Sequence, residues 1–220
     1  MIRLFCGYDP REALGFHVFA HSVLKYATQP VQLIPLHSRG MPQGTNEFTY
    51  SRFLVPWLCG FEGHAIFADG SDMLMQEDVA ELDGLFDPAC AVQCVKRPDY
   101  LTQHPIKYRG TSMESSNRDY ACKNWASLMI FNCAHPVWRD HNPVTIQALA
   151  SVTLLQLDFL LAEEIGPLPR SWNVLADEGD ELKGAKILHW TAGIPAFPAY
   201  SRAPGADLWF NAHREMVKLP

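Results

Sequence analysis

Two aspartates, Asp69 and Asp72, follow directly after an apolar run in the segment AIFADGSDML. Burying a carboxylate is costly unless a cation or several hydrogen-bond donors meet it. Carboxylate oxygens are preferred ligands of Mg²⁺ and Mn²⁺, and such an ion neutralises charge on a departing phosphate. A turn in which Asp and Ser cap the next segment explains the same pattern. The segment therefore indicates either a divalent-metal site or a hydrogen-bonded turn.

His189 ends a second short apolar run, AKILHW. Imidazole binds Mn²⁺ well enough to provide a third ligand, and a hydrogen-bonded histidine at a strand end is the alternative. The two aspartates are separated by two residues, so their side chains meet only across a turn or bulge. Gly70 permits such a turn.

The elements that position these residues alternate between strand and helix. An amphipathic helix is predicted in DPREALGFHVFAHSVLKYA, capped by Asp9 with Pro10 in its first turn. Further helices are predicted in EFTYSRFLVPWLCGF, which Pro56 would kink or divide, in DVAELDGLF, in VTIQALASVTLLQLDFLLAE and in DLWFNAHREMV. The part SVTLLQLDF could instead be partly extended. Buried strands are predicted in IRLFCGY, VQLIPL, HAIFAD, CAVQCVKR, KNWASLMIFNC and AKILHW.

This alternation predicts an α/β fold with a mostly parallel central sheet flanked by helices. Ligands of such sheets bind at the carboxyl ends of the strands. Asp9 and the pair Asp69 and Asp72 each follow a predicted strand directly, so we expect them on the same rim of the sheet.

The composition of the chain limits the possible functions. It has 220 residues, of which 48% are apolar, and we predict a single domain over 1–220. A net charge of −6 without a basic cluster argues against nucleic-acid binding.

The six cysteines show no zinc spacing, and several lie in apolar runs, which favours free thiols in a reducing cytoplasmic compartment. No apolar stretch reaches the roughly 18 residues of a transmembrane helix, so we expect a protein that is at most peripheral to a membrane.

Residues 98–120 are polar and irregular. They are predicted to form either a lid or substrate loop, with Lys107 and Arg109 available for phosphates, or a plain surface excursion.

Six segments in order resemble the bacterial branch of glycosyltransferase family 8, the group that includes glycogenin and the lipopolysaccharide galactosyl- and glucosyltransferases. They are GYDPREALGFHVFAHSVL, YSRFLVPWL, AIFADGSDML, KNWASLMIFNC, LPRSWNVL and HWTAGIPAFPAY, and they cover nearly the whole chain. The resemblance implies a GT-A fold and a hexosyltransferase that uses Mn²⁺ or Mg²⁺. It also implies a nucleotide-sugar donor such as a UDP-hexose, and transfer with retention to a hydroxyl of a carbohydrate or lipid-linked acceptor.

The resemblance places functional residues one by one. The segment after the first strand contacts the nucleoside in the family, an arginine lies near the donor, and a small polar turn faces the donor sugar. No nucleophile can be identified, and Asn124 and Asp119 are candidates for a catalytic role. The implied metal ligands are Asp69, Asp72 and His189, and the implied donor-binding residues are Gly7, Tyr8, Asp9, Arg52, Asp69, Asn124, Ser127, Asn173 and Gly193.

Two features depart from the family pattern. The aspartates are one residue further apart than in its DxD motif, and Ile194 stands at about the place of a lysine near the diphosphate, for which Arg52 or Arg202 could substitute. These departures motivate two alternatives. An inactive relative that keeps the fold would show no metal-dependent nucleotide binding. A metal-dependent nucleotide-sugar hydrolase would release free sugar without an acceptor.

Overall fold

The predicted strands and helices form a layered α/β structure in a computed structural model that describes residues 1–42, 44, 46–98 and 100–218. The strands are β1 Ile2–Gly7, β2 Val31–Leu36, β3 His64–Ala68, β4 Met73–Met75, β5 Val92–Cys94, β6 Ile106–Lys107, β7 Ser115–Ser116, β8 Leu128–Asn132, β9 Ile165–Pro167, β10 Val174–Leu175 and β11 Ile187–His189. The α-helices are α1 Ala13–Tyr26, α2 Val55–Leu58, α3 Val79–Asp83, α4 Pro143–Ala148, α5 Ser151–Gln156 and α6 Ala206–Met216.

The central sheet has six strands in the order β2-β1-β3-β8-β5-β9. The pairings β1 with β2, β1 with β3 and β5 with β9 are parallel, whereas β8 is antiparallel to both of its neighbours. The sheet is therefore mostly parallel, as predicted, and is interrupted by one reversed strand.

Helices and loops cover both faces of this sheet. Successive residues of a strand therefore pack alternately into two apolar clusters, one on each face. In β3, Ile66 packs in a cluster with Phe19 of α1, and Phe67 packs in a cluster with Trp138 and Leu154. Apolar runs without a polar alternation are expected of strands that are buried on both faces.

A second, small sheet brings two distant segments together. Its order is β10-β11-β4, and its register places His189 of β11 opposite Met73 of β4. The C-terminal histidine therefore lies beside the acidic turn that precedes β4. Helix α1 packs against β4 from the other side and also contacts α6.

Three predicted elements are shorter than expected. The segment around Pro56 is a 3₁₀ turn, Ser51–Leu54, followed by α2, and Pro56 lies in the first turn of α2, where it causes no kink. The predicted long helix after residue 143 is divided into α4 and α5. The predicted strand KNWASLMIFNC begins only at Leu128, because Asn124 has φ +66° and a 3₁₀ turn follows it.

Within the described residues, no helix has the length and apolar character needed to cross a membrane. The cysteines are all free, and most of them are buried.

Candidate functional site

The acidic turn at the end of β3 brings its two carboxylates to one place. Asp69 donates its backbone N–H to the carbonyl of Ser127 at 2.8 Å, and the Ser71 hydroxyl donates to the carbonyl of Gly7 at 3.2 Å. Gly70 between them has φ +70°, the left-handed region that glycine adopts without a steric penalty. The three-residue step from Asp69 to Asp72 is thus accommodated by a tight turn, as the sequence allowed.

Asp69, Asp72 and His189 form a group that could hold a metal ion. One ligand atom from each lies within 4.8 Å of the others, and all three residues are buried. Nε2 of His189 lies 3.4 Å from Oδ2 of Asp72. The second oxygen of Asp72, Oδ1, is buried and has no hydrogen-bond partner among the described residues. A divalent cation would supply the partner that this oxygen lacks, so the residues present fit such an ion.

A hydrogen-bond relay fixes the orientation of His189. The Ser127 hydroxyl donates to the carbonyl of Asn124 at 2.6 Å, so its oxygen accepts from Nδ2 of Asn173 at 2.8 Å. The other amide atom of Asn173, Oδ1, then faces Nδ1 of His189 at 2.9 Å. Nδ1 therefore carries the hydrogen, and Nε2 is left for a metal ion. Such support of a ligating histidine is usual in metal sites.

The charges in this group are strongly coupled. Burial raises the pKa of Asp69 to about 6, although the charge of Arg52 opposes the shift. Burial also works against ionisation of Asp72, but the charge and hydrogen bond of His189 lower its pKa below the usual value. The pKa of His189 is raised, because the neighbouring carboxylates outweigh the effect of its burial. The site is therefore a low-dielectric environment that stabilises added positive charge.

Arg52 links the acidic turn to the polar turn before β8. Its Nη1 donates to Oδ1 of Asp69 at 2.6 Å and to the carbonyl of Ala126 at 2.7 Å. Its guanidinium lies 5.2 Å from the ring centroids of both Phe48 and Phe67, two rings that neighbour each other. The Nε of Arg52 is buried without a partner in the described part of the chain. One donor of this arginine is thus available for a ligand.

These groups lie along a cleft of about 280 Å³. Its wall combines the two aspartates with several cations. The side-chain amine of Lys107 makes no hydrogen bond or ion pair with the described residues and lies 5.8 Å from the ring centroid of Tyr108. Burial and, after it, the charge of Lys107 lower the pKa of Lys123. The lining residues are Asn46, Thr49, Arg52, Asp69, Asp72, Lys107, Tyr108, Ser116, Asn117, Arg118, Tyr120, Lys123, Asn124, Ala126, Ser127, Ser151, Val152 and Leu155.

Five residues predicted from the sequence meet at this cleft, and two more support it from behind. Asn124 presents a side-chain Nδ2 that is buried without a partner among the described residues. Asn173 and His189 are buried behind the wall and reach it through Ser127 and Asp72. The residues at the wall are Arg52, Asp69, Asp72, Asn124 and Ser127.

The predicted nucleoside residues do not line the cleft. The carboxylate of Asp9 is fully buried and accepts from the Arg11 guanidinium and from the backbone N–H of Glu47. Tyr8 is half-buried, and its ring meets that of Phe16 edge-on with centroids 5.2 Å apart. At Gly7 an added Cβ would approach the ring of Phe48 to 2.5 Å, so packing alone requires a glycine.

Two other predicted residues also lie away from the cleft wall. Gly193 has φ +156°, and an added Cβ would meet the ring of Tyr200 at 2.5 Å. Asp119 accepts from the backbone N–H of Thr102 at 2.9 Å and pairs with Lys123 at 3.5 Å. Its carboxylate is thus used to hold the polar segment together.

The polar segment after β5 forms one wall of the cleft. It is anchored by Glu178, which accepts from Tyr100, from the Thr102 hydroxyl and from the backbone N–H of Gln103 at 2.6–2.7 Å. Lys107 on this segment lines the cleft, whereas Arg109 lines a second pocket.

The positions of the basic residues concern the lysine of the family pattern, at whose place this chain has Ile194. Arg202, which was considered as a substitute, lies in the second pocket with Arg109. Arg52 and Lys107 are at the cleft. Of the two arginines expected to substitute for the lysine, Arg52 therefore lies at the cleft and Arg202 does not, and Lys107 lies at the cleft as well.

Two supporting residues were missed by sequence reasoning. Arg97 is buried, donates to the carbonyl of Asn173 at 2.5 Å and pairs with Asp180 at 2.5 Å, so it fixes the loop that carries Asn173. Helix α5 contributes Ser151 to the cleft wall. A buried arginine at the end of a strand was the available signal, because an arginine in such a place needs a partner.

The sequence was compared with known proteins. No protein-family model matches the chain. It is 35% identical over 233 residues to Protein CDI of Arabidopsis thaliana, an alignment that covers 98% of this chain and 87% of that protein.

Solved structures of glycosyltransferases share its fold. The apo bifunctional glycosyltransferase WbbM matches at a TM-score of 0.68 and 12% identity over 100% of this chain and 50% of WbbM. The galactosyltransferase LgtC, crystallised with donor and acceptor sugar analogues, matches at a TM-score of 0.63 and 12% identity, over 100% of this chain and 98% of LgtC. GlyE of Streptococcus pneumoniae TIGR4 matches at a TM-score of 0.64 and 11% identity, over 96% of this chain and 60% of GlyE. This likeness is one of fold, and it confirms the GT-A fold expected from the family 8 motifs.

Proposed function

The chain belongs to the family of Protein CDI of Arabidopsis thaliana, and from this premise, together with its GT-A fold, we propose that it is a metal-dependent glycosyltransferase. The donor is a nucleotide-diphosphate sugar of the UDP-hexose type, and the acceptor is a hydroxyl of a carbohydrate or a lipid-linked molecule. One observation carries this proposal. Three metal-ligating side chains meet within 4.8 Å beside a cleft that is also lined by lysine and arginine.

Asp69, Asp72 and His189 would hold the metal ion, Mn²⁺ or Mg²⁺. The buried and unpartnered Oδ1 of Asp72 supports this assignment, as does Nε2 of His189, which faces Oδ2 of Asp72 at 3.4 Å. A bound divalent cation stabilises the negative charge of a departing diphosphate. The same three residues account for the unusual spacing of the two aspartates, because the turn at Gly70 brings both carboxylates toward His189.

The cations of the polar segment would bind the diphosphate. Lys107, Arg118 and Lys123 line the cleft together with the acidic turn. Lys107 has no anionic partner within the described residues, so a phosphate would be the first group to pair with it. In this chain we assign to Lys107 the role that a lysine beyond the histidine has in family 8.

The donor sugar would lie near Arg52, Asn124 and Ser127. The unpartnered Nε of Arg52 and Nδ2 of Asn124 are donors that sugar hydroxyls satisfy. We assign the nucleoside of the donor to the end of β1, near Gly7, Tyr8 and Asp9. Gly193, four residues after His189, is also assigned to donor binding. Asn173 would act on the metal through His189.

The lining of the cleft favours transfer with retention of the anomeric configuration. Among the described lining residues, the only carboxylates are those of Asp69 and Asp72, and both are assigned to the metal. Asp119 is bound to Thr102 and Lys123 and is not at the cleft wall. With no separate carboxylate to act as the base of an inverting attack or as a covalent nucleophile, the acceptor oxygen bonds to the anomeric carbon on the face from which the diphosphate leaves. The bond between that carbon and the diphosphate breaks, and the hydroxyl proton passes to the departing phosphate oxygen.

A donor-turnover assay tests this function. The protein is incubated with UDP-glucose or UDP-galactose and Mn²⁺, with and without a panel of sugar acceptors, and UDP and free sugar are measured. We expect an acceptor to increase UDP release without an equal release of free sugar, and Asp72→Asn to abolish it. Equal amounts of UDP and free sugar would identify a hydrolase. No turnover of any donor by folded protein would contradict the proposal and favour an inactive relative.

We propose a cytoplasmic location as well. The free cysteines, most of them buried, support a reducing compartment.

A further inference from the structure

Glu12 is a buried carboxylate that the proposed site does not use. It is 1% exposed, and both of its carboxylate oxygens are buried without a hydrogen-bond partner among the described residues. Its nearest basic neighbour in sequence, Arg11, donates twice to the carboxylate of Asp9. A buried carboxylate without a partner is costly and requires an explanation.

The packing of helix α1 places Glu12 next to the acidic turn. Gly15 in the first turn of α1 approaches the carbonyl of Ser71 so closely that an added Cβ would lie 1.9 Å from that oxygen. Glu12 ends the 3₁₀ turn Pro10–Glu12 and directly precedes α1, three residues before Gly15. The Ser71 hydroxyl also donates to the carbonyl of Gly7 on the same segment, so the chain from Gly7 to Gly15 packs against the turn from Asp69 to Asp72.

The electrostatic neighbours of Glu12 agree with this placement. Burial raises the pKa of Glu12 well above its ordinary value, and the charge of Asp72 adds more to the shift than that of any other residue. Lys107 acts in the opposite direction but makes no ion pair with Glu12. Two carboxylates, Glu12 and Asp72, thus each have buried oxygens without a partner in the same region.

We propose that Glu12 is a further carboxylate of the metal site, which binds the divalent cation through one water molecule. The proposal rests on the proposed function only in that it assigns a cation to Asp69, Asp72 and His189. A cation beside Asp72 would give the Glu12 carboxylate the partner that it lacks and would offset the repulsion between the acidic side chains. The residue just before α1 would then contribute to a site otherwise built from the strand ends.

Mn²⁺ binding measured without a nucleotide or a sugar tests this inference. Free Mn²⁺ is followed by electron paramagnetic resonance during titration of the wild-type protein and of the variants Glu12→Gln and Asp72→Asn. Glu12→Gln keeps the size of the side chain, and we expect it to weaken Mn²⁺ binding about 10- to 100-fold. The same variant removes an uncompensated buried acid, so its melting temperature without metal should rise.

Glu47→Gln is the matched control, because it removes one negative charge from a half-exposed side chain near Asp9. Its Mn²⁺ affinity should stay within about twofold of the wild type, since exposed charges are screened. If Glu12→Gln does not fold, Glu12→Asp keeps the charge but retracts the carboxylate by one carbon, and it should weaken binding several-fold.

The outcomes separate the two proposals. If the wild type binds Mn²⁺, Asp72→Asn does not, and Glu12→Gln binds as tightly as the wild type, then the inference is overturned and the metal site stands. Glu12 would then be a protonated acid in the core. If the folded wild type binds no Mn²⁺, the metal site itself is overturned.

Discussion

Asn173 accepts a hydrogen bond from Nδ1 of His189 at 2.9 Å, and this contact determines which imidazole nitrogen faces Asp72. The side-chain Nδ2 of Asn173 donates to the Ser127 hydroxyl, and the backbone carbonyl of Asn173 accepts from Arg97. A side chain that lies outside the cleft thus controls the geometry of a group beside it.

Asn173→Ala should weaken Mn²⁺ binding about 10- to 100-fold, as is typical when the partner of a ligating histidine is removed. The ring of His189 would lose its fixed orientation while the ligand atoms remain. Mn²⁺ titration of the variant measures this effect. Asn142→Ala provides the control, because it removes a helix cap of α4 at a cost of about 1 kcal/mol and should leave the Mn²⁺ affinity unchanged. Equal Mn²⁺ affinity of Asn173→Ala and the wild type would show that the relay has no role.

Lys107→Met should weaken binding of UDP in the presence of Mn²⁺ by about tenfold, the effect of losing one charge-assisted contact. Binding of uridine, which carries no phosphate, should not change. Calorimetric titration of both ligands measures the difference. Arg109→Met is a matched control, since Arg109 is two residues away but lines the second pocket. An equal loss in both variants would remove Lys107 from the diphosphate site.

Gly15→Ala should destabilise the protein by about 1–3 kcal/mol, the usual cost of overpacking. The added Cβ would lie 1.9 Å from the carbonyl oxygen of Ser71, which is backbone and cannot rotate away. Because the acidic turn would have to shift, Mn²⁺ binding should weaken as well. Urea unfolding and Mn²⁺ titration measure the two effects. Leu14→Ala, on an exposed position of the same helix, should affect neither strongly. Wild-type stability of Gly15→Ala would contradict the close contact.

Asp180→Asn should reduce the free energy of unfolding at pH 7 by about 3 kcal/mol, because it leaves the buried Arg97 without its charged partner. Burial disfavours the ionised form of Asp180, but the hydrogen bond and charge of Arg97 lower its pKa below the ordinary value. A carboxylate with a lowered pKa stabilises the fold above its unfolded-state pKa of about 3.9 and loses that contribution as the pH falls through the folded value.

The difference between wild type and Asp180→Asn should therefore be full at pH 7 and shrink below about pH 4. Urea unfolding across this range measures it. Glu215→Gln is the control, since Glu215 pairs with Lys25 on the surface and its replacement should change stability little. A difference that is independent of pH would contradict the assigned ion pair.

The sequence predicted the features that depend on local patterns. Apolar runs marked the strands, and carboxylates directly after a strand marked the rim, so Asp69, Asp72 and His189 were identified as candidate metal ligands from residue types and positions. The structure brings these three side chains together. The start of KNWASLMIFNC was wrongly predicted as strand. Asn124 there has a positive φ, and residues other than glycine give no reliable sequence signal for that conformation.

Features that depend on long-range contacts were not predictable in the same way. Lys107 reaches the cleft because Glu178, far along the chain, anchors its segment. Asp9 pairs with Arg11, two residues later, which is a local contact that the sequence did contain, and its expected contact with the base or ribose stays a prediction. Arg97 and Glu12 matter through burial, and burial of a charged residue is decided by the fold as a whole. The single-domain organisation and the roles of the site residues stay predictions.

Thermal unfolding with UDP, GDP and CDP, each with and without Mn²⁺, tests the central claim most directly. A ligand that binds only the native state raises the melting temperature by mass action. We predict a shift with one nucleotide, UDP, that requires Mn²⁺ and disappears in Asp72→Asn. The absence of a shift with every nucleotide, in wild-type protein confirmed to be folded, would contradict a metal-dependent nucleotide-sugar transferase.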